Sequence, residues 1–185
     1  MIDYEKQAVA NLLAFYTNAK LAKKRDVLLR LLEETSKRGV VFALSCSGAY
    51  FFRGLIDDFH DYDIVVERTS IKQFINIFIN LGGTLKYGQN GVEFDIISEF
   101  TITTYNTRYT YDFKADEVEL VNGLIPVCPI ESNLILYGMM IQWQPRRRYK
   151  YEIALAFLRQ NGVMYPEILK ATNLPKFIKK DIESL

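Results

Sequence analysis

A chain of 185 residues with 49% hydrophobic and 24% charged residues has the composition of an ordinary globular protein, neither disordered nor membrane-embedded, and is long enough for one well-buried core with a small helical appendage. Twenty-three Lys and Arg against twenty-two Asp and Glu leave a net charge of +1, which argues against a general DNA or RNA coat held by bulk positive charge. No apolar run reaches the ~18 residues of a membrane span, and the opening "MIDYEKQAVANLL" lacks the basic patch, apolar core and small-residue cleavage site of a secretion signal, so a cytoplasmic protein is expected.

Residues 3 to 37 carry apolar side chains at helical spacing (Val9, Leu12, Leu13, Phe15 and Tyr16, then Val27, Leu28, Leu31 and Leu32), with "KLAKKRD" between or within the two helices this predicts. "GVVFALS" (39 to 45) is a continuous apolar run after a glycine, as a buried strand requires. In "CSGAYFFRG", Ser47 is placed to cap a short helix that Gly54 ends, and Tyr50, Phe51 and Phe52 read as core. The next strand is "DYDIVV", and Thr69 or Ser70 then caps the helical stripe "IKQFINIFINL", which stops at Gly82-Gly83.

"TLKYGQNGVEFDIIS" predicts a hairpin around Gly-Gln-Asn-Gly, with Asp95 on its second arm. Strand-rich sequence, including "EVELVNGLIPV" with its Asn-Gly turn, continues to about residue 128. From Pro129 the pattern is helical, with breaks near Pro145, Gly162 and Pro175. The expected fold is therefore α/β (α+β), a mixed sheet flanked by helices in residues 1–128 and a helical part in 129–185. Cys46 and Cys128, far apart in a cytoplasmic chain, are expected to be small buried residues without a disulfide.

Asp61 and Asp63 are one residue apart, so in an extended segment both side chains leave the same face, roughly 7 Å apart. Like charges so close need an answer, and the candidates are water, a basic neighbour or a bound cation. The order of features, a strand, a Ser/Gly turn into a helix, an Asp-x-Asp strand and a later strand with another acid, resembles the nucleotidyltransferase superfamily. The matching residues are Ser47 and Gly48 in "LSCSGAYFFRG", Asp61 and Asp63 in "DYDIVV", and Asp95 in "VEFDIIS", within residues 40 to about 98. Glu93 lies on the same face of its strand as Asp95 and competes for the third place. The small stand-alone bacterial members, of the lincosamide nucleotidyltransferase and abortive-infection toxin type, look most similar, because an apolar helix and then a basic segment follow here too ("IPVCPIESNLILYGMMIQWQPRRRYK"). The chain departs from the family where Ser45-Cys46-Ser47-Gly48 replaces Gly-Gly-Ser or Gly-Ser, and where Tyr151 follows Lys150 in place of an acid.

The resemblance implies a nucleotidyltransferase-like fold and an enzyme that moves a nucleoside monophosphate from an NTP such as ATP to a hydroxyl. Asp61, Asp63 and Asp95 would be its catalytic and metal-binding residues, holding two Mg2+ ions, a demand that three convergent carboxylates can meet. Ser47 and Gly48 would meet the phosphates, joined by Arg53 and Lys150. The acceptor is left open between a small molecule such as an antibiotic, an RNA end and a protein side chain. The helical part, with Tyr137, Trp143, Tyr149, Tyr151 and the cations from Arg146 to Lys150, is expected to serve the acceptor; packing is the ordinary role for Tyr137 and Trp143, and a solvated first turn for "PRRRYK". The alternative is a catalytically inactive module of the same fold that binds a nucleotide or a protein partner. For His60 the expected role is that of an exposed loop residue, and Arg53 has the ordinary role of a helix-ending charge.

Overall fold

The computed structural model describes residues 3–85, 93–97, 99–104, 107–112, 118–170 and 174–185; for the strands between 93 and 112 the description is of backbone and pairing. The chain divides into two compact units, one made of Met1–Ser98 with Lys114–Val127, the other of Glu99–Phe113 with Cys128–Leu185.

In the first unit, the Asp3 side chain accepts the Lys6 N–H at 3.0 Å and starts helix α1 (Tyr4–Thr17). Asn18 caps a short 3-10 turn (Ala19–Leu21) that runs into α2 (Ala22–Lys37), so the charged stretch "KLAKKRD" straddles the junction. The α1 stripe is divided: Phe15 is buried with Ala8 and Asn11, while Val9, Leu13 and Tyr16 are exposed. The cause is polar, since buried Asn11 donates from Nδ2 to the carbonyls of Phe51 (2.6 Å) and Ile56 (2.8 Å), which fixes the face that turns inward.

Strand β1 (Phe42–Ser45) leads directly into α3 (Cys46–Phe52), followed by β2 (Tyr62–Val66), α4 (Ile71–Asn80), β3 (Thr84–Leu85) and β4 (Glu93–Ile97). After β5 (Glu99–Thr104) and β6 (Thr107–Asp112), which belong to the second unit, come β7 (Glu119–Val121) and β8 (Ile125–Val127). The first unit's sheet has the order β3-β4-β2-β1-β8-β7. β1 pairs antiparallel with β2 and parallel with β8, β2 and β3 pair parallel with β4, and β7 and β8 form a hairpin. That hairpin turns at Asn122 (φ 52°) and Gly123 (φ 68°), both left-handed, with the Leu124 N–H returning to the Val121 carbonyl at 3.1 Å, where the Asn-Gly pair predicts the turn.

The pairing of β3 with β4 corrects the hairpin expected there, because the two strands run in the same direction. Side-chain alternation is identical in parallel and antiparallel strands, so it carries no information on direction. The expected Gly-Gln-Asn-Gly turn lies outside the described residues.

One hydrophobic cluster fills one face of this sheet, while Ala43 and Val65 are buried on the other. Phe42 and Leu44 of β1, Tyr62, Ile64 and Val66 of β2, and Ile125 and Val127 of β8 pack with Phe15, Leu28, Leu31, Phe51, Phe52, Phe74 and Phe78 from α1 to α4. Phe52 meets Phe15 edge-on at 5.0 Å and Phe51 at 5.2 Å, and a fully buried ring of this kind stabilises the fold by about 1.5–3 kcal/mol. Tyr50, Phe51 and Phe52 are thus core, as expected.

In the second unit β5 and β6 pair antiparallel from Glu99↔Asp112 to Thr104↔Thr107. Its helices are α5 (Ile130–Met140), α6 (Arg148–Asn161) after a 3-10 turn at Pro145–Arg147, α7 (Pro166–Leu169) and α8 (Lys176–Ile182). The three expected breaks are where the chain turns: Pro145 starts the 3-10 turn, Gly162 (φ 86°) ends α6 and Pro175 precedes α8. Helix α5 is buried on every side, and its Gly138 lets Ile178 and Tyr151 approach so closely that a Cβ there would lie 2.6 and 2.9 Å from them. Fully buried Glu131 accepts from the backbone N–H groups of Met164 (2.7 Å) and Tyr165 (3.1 Å), tying the segment before α7 to α5. The whole is a mixed α/β fold, a mixed sheet flanked by helices with a more helical C-terminal region.

Candidate functional site

The site begins at the junction of β1 and α3. Ser45 ends the strand in an extended conformation, and Cys46, the first helical residue, has φ 50°, a left-handed value that a glycine adopts freely and an L side chain does not. The left-handed residue of the turn is therefore Cys46, and Gly48 lies inside the helix. A Cβ at Gly48 would make ordinary contacts with Tyr62 (3.7 Å) and Leu44 (3.9 Å), so no close approach demands glycine there. Ser47 is buried in the first turn of α3. The helix ends with Arg53 as its C-cap and Gly54 at φ 72°, where the Leu55 N–H returns to the Tyr50 carbonyl at 2.8 Å.

Asp63 is the one residue of β2 that is not fully buried. In register it stands opposite Ser45 of β1 on one side and Asp95 of β4 on the other, so these three positions form one row across the sheet. Because Tyr62, Ile64 and Val66 supply the core face, Asp63 belongs to the opposite face. Asp61 precedes the first residue of β2 and is half-buried. The side chains of Glu93 and Asp95 lie outside what is described. Among the described residues no group of three or more His, Cys, Asp and Glu side chains is close enough to hold a metal ion.

A basic neighbour of Asp61 is present. Lys24 of α2 donates from Nζ to the Phe59 carbonyl at 2.7 Å and sits 4.7 Å from the centre of the Phe59 ring. Burial holds its pKa below the ordinary lysine value, opposed by the negative charges of Asp58 and Asp61, which favour the ammonium form. The Tyr62 hydroxyl donates to the Lys24 carbonyl at 3.1 Å, so the helix end and the start of β2 are joined at this point. Lys24, 37 positions before Asp61, left no local signal in the sequence. His60 is exposed in the loop before β2, as expected.

Arg53 is buried, with Nη1 2.9 Å from Glu119 Oε2 of β7, so its charge is matched inside the first unit. Lys150 belongs to the second unit, with Nζ 5.5 Å from the centre of the Tyr137 ring and 5.9 Å from that of Tyr149. Tyr137 is buried, as expected, but Trp143 is 45% exposed and Tyr149 53%. Cys46 and Cys128 are both buried, and among the described residues no disulfide joins them. No described helix is long and apolar enough to cross a membrane.

No family model, no curated protein and no solved structure matches the chain.

Proposed function

We propose that the chain is a Mg2+-dependent nucleotidyltransferase that transfers a nucleoside monophosphate from an NTP to a hydroxyl acceptor and releases pyrophosphate, in a cytoplasmic setting. The observation that carries the reading is the row Ser45, Asp63 and Asp95, which sets two acidic positions side by side on adjacent strands next to the turn into α3. The left-handed backbone at Cys46 supports it, because the turn keeps the conformation that the glycine of the Gly-Ser pattern would supply.

The donor set of Asp61, Asp63 and Asp95 is all carboxylate oxygen, the chemistry Mg2+ prefers. When bound, two such ions would neutralise triphosphate charge and activate the acceptor hydroxyl. In this reading Asp63 and Asp61 hold the ions on the triphosphate side and Asp95 the acceptor side, and Ser47 and Gly48 lie toward the phosphates. A phosphate contact from Arg53 requires exchange of its Glu119 partner. Lys150 enters the proposal through its place in the sequence.

The second reading, a module of the same kind that binds a nucleotide without turnover, is favoured by Lys24, a cation near Asp58 and Asp61 whose Nζ is held on the Phe59 carbonyl. Calorimetric titration with Mg2+ and a non-hydrolysable ATP analogue, alongside a pyrophosphate-release assay, separates the two. The first reading expects Mg2+-dependent binding and release; binding without release for any NTP establishes the second. Asp63→Asn is expected to abolish the Mg2+-dependent binding while leaving the fold intact or slightly more stable, since clustered carboxylates repel without metal. An Asn variant that unfolds makes Asp63 a structural residue, and a folded one that binds as the parent does removes Asp63 from the metal site and overturns the row as its basis.

A further inference from the structure

The corner between α5 and α6 concentrates the charge and aromatic surface that the sequence assigns to an acceptor of open chemistry. Residues 129–185 hold nine Lys and Arg against five Asp and Glu, whereas residues 1–128 hold fourteen against seventeen, so the balanced whole hides a basic helical part. Four of the nine cations, Arg146, Arg147, Arg148 and Lys150, lie within five positions that contain no acid. Arg146, Arg148, Tyr149 and Trp143 are exposed at the corner. The nearest acid along the helix, Glu152, reaches Arg148 only at 4.0 Å.

The cations are also at the wrong end of their helix. The first turn of α6 has no acidic residue and no side-chain cap, so positive side chains crowd the positive end of the helix dipole, an arrangement that disfavours the isolated protein. Polyanions relieve such an arrangement, and guanidinium groups match phosphate oxygens in geometry. The aromatic pair narrows the class of polyanion. Exposed Trp and Tyr beside arginines stack on unpaired bases, a contact that duplexes do not offer. A bilayer is a poorer match, because Tyr151, Ala154, Leu155 and Leu158 of α6 are buried and Ile153 and Phe157 only half-buried, which leaves no broad, fully exposed apolar face to insert.

We infer that the α5–α6 corner, through Trp143, Arg146, Arg148 and Tyr149, binds single-stranded nucleic acid. The inference stands apart from the proposed reaction, and the test is run in EDTA so that the aspartates play no part. The probe is a labelled oligouridylate of about a dozen nucleotides, titrated with the full chain and followed by anisotropy and by quenching of Trp143, the one tryptophan in the sequence. Saturable binding with Trp quenching is expected. Arg146→Ala/Arg148→Ala is expected to weaken it at least ten-fold and to flatten the plot of log K against log salt by about 1.4, two phosphate contacts at roughly 0.7 each. Tyr149→Ala is expected to weaken binding about ten-fold and Tyr149→Phe to restore it, since the ring stacks and the hydroxyl does not. All three positions are exposed, so circular dichroism is expected to be unchanged. The inference is overturned if the oligomer does not bind. It is equally overturned if a duplex of the same length or phosphatidylserine vesicles bind as tightly, or if Tyr149→Ala binds as the parent does. An Asp63→Asn protein binds the oligomer normally on this account, whatever becomes of the reaction.

Discussion

Cys46 holds a backbone conformation that costs an L residue about 1–2 kcal/mol, at a buried position where its sulfur also packs. The two effects oppose each other on substitution. Cys46→Gly relieves the strain but removes the buried thiol, so its stability is expected to lie within about 1 kcal/mol of the parent. Cys46→Val adds a β-branch to the same left-handed backbone and is expected to cost about 2 kcal/mol or more. Urea unfolding of both variants checks the difference; equal stabilities would mean that the turn relaxes to an ordinary conformation. At this scale the outward face of Asp63 was legible, because side chains alternate along any strand, but Asp61 lies in the bend before β2, where that alternation does not reach. That Ser45 stands opposite Asp63 was not legible, since register is set by pairing between distant segments. The position of the left-handed residue was hidden too, as a Ser-Gly pair draws attention to its glycine when the strained residue is the cysteine two places earlier.

Helix α1 is held to α3 by shape as well as by Asn11. A Cβ on Gly54 would lie 2.4 Å from both Ala8 N and Tyr4 O, and the φ of 72° excludes relief by a small backbone adjustment. Gly54→Ala is therefore expected to separate the α1–α3 contact and cost about 3 kcal/mol or more, read as a fall in Tm together with loss of protection of α1 amides from hydrogen exchange. In the second unit, Glu131→Ala leaves two backbone donors without their carboxylate and is expected to cost about 2–4 kcal/mol. Glu131→Gln keeps an acceptor oxygen and is expected to cost less than half of that, so an equal loss in both would show that the charge rather than the acceptor matters. The element boundaries near Gly54, Gly82, Pro145, Gly162 and Pro175 were legible because each breaker acts locally. The inward face of α1 was not: Val9, Leu13 and Tyr16 are as apolar as the buried set, and the choice is made by a polar residue whose partners, Phe51 and Ile56, are about 40 positions away.

For the whole molecule, alkaline pH is the sensitive direction. Burial raises the pKa of Tyr50 and Tyr62 above the ordinary tyrosine value. A raised folded pKa means the unfolded chain loses those protons first, so the stability is complete below pH ~10 and declines as pH rises toward the folded values, by about 1.4 kcal/mol per pH unit for each group. Urea midpoints are expected to be flat from pH 7 to 9 and to fall between pH 10 and 11. Tyr62→Phe is expected to start lower, having lost the hydrogen bond to Lys24, and to fall less steeply. Parallel declines in parent and variant would remove Tyr62 from the account.

The place of β8 in the sheet has a consequence during synthesis. β1 lies between β2 and β8, yet residue 127 is made 82 positions after Ser45. At about 5–20 residues per second, the ribosome takes roughly 4–16 s to cover that interval. For all that time the growing chain presents β1, with Phe42, Ala43 and Leu44, along an unpaired border that can recruit another strand. Nascent chains halted near residue 100 are accordingly expected to sediment or to require a chaperone, and those released after residue 127 to stay dispersed.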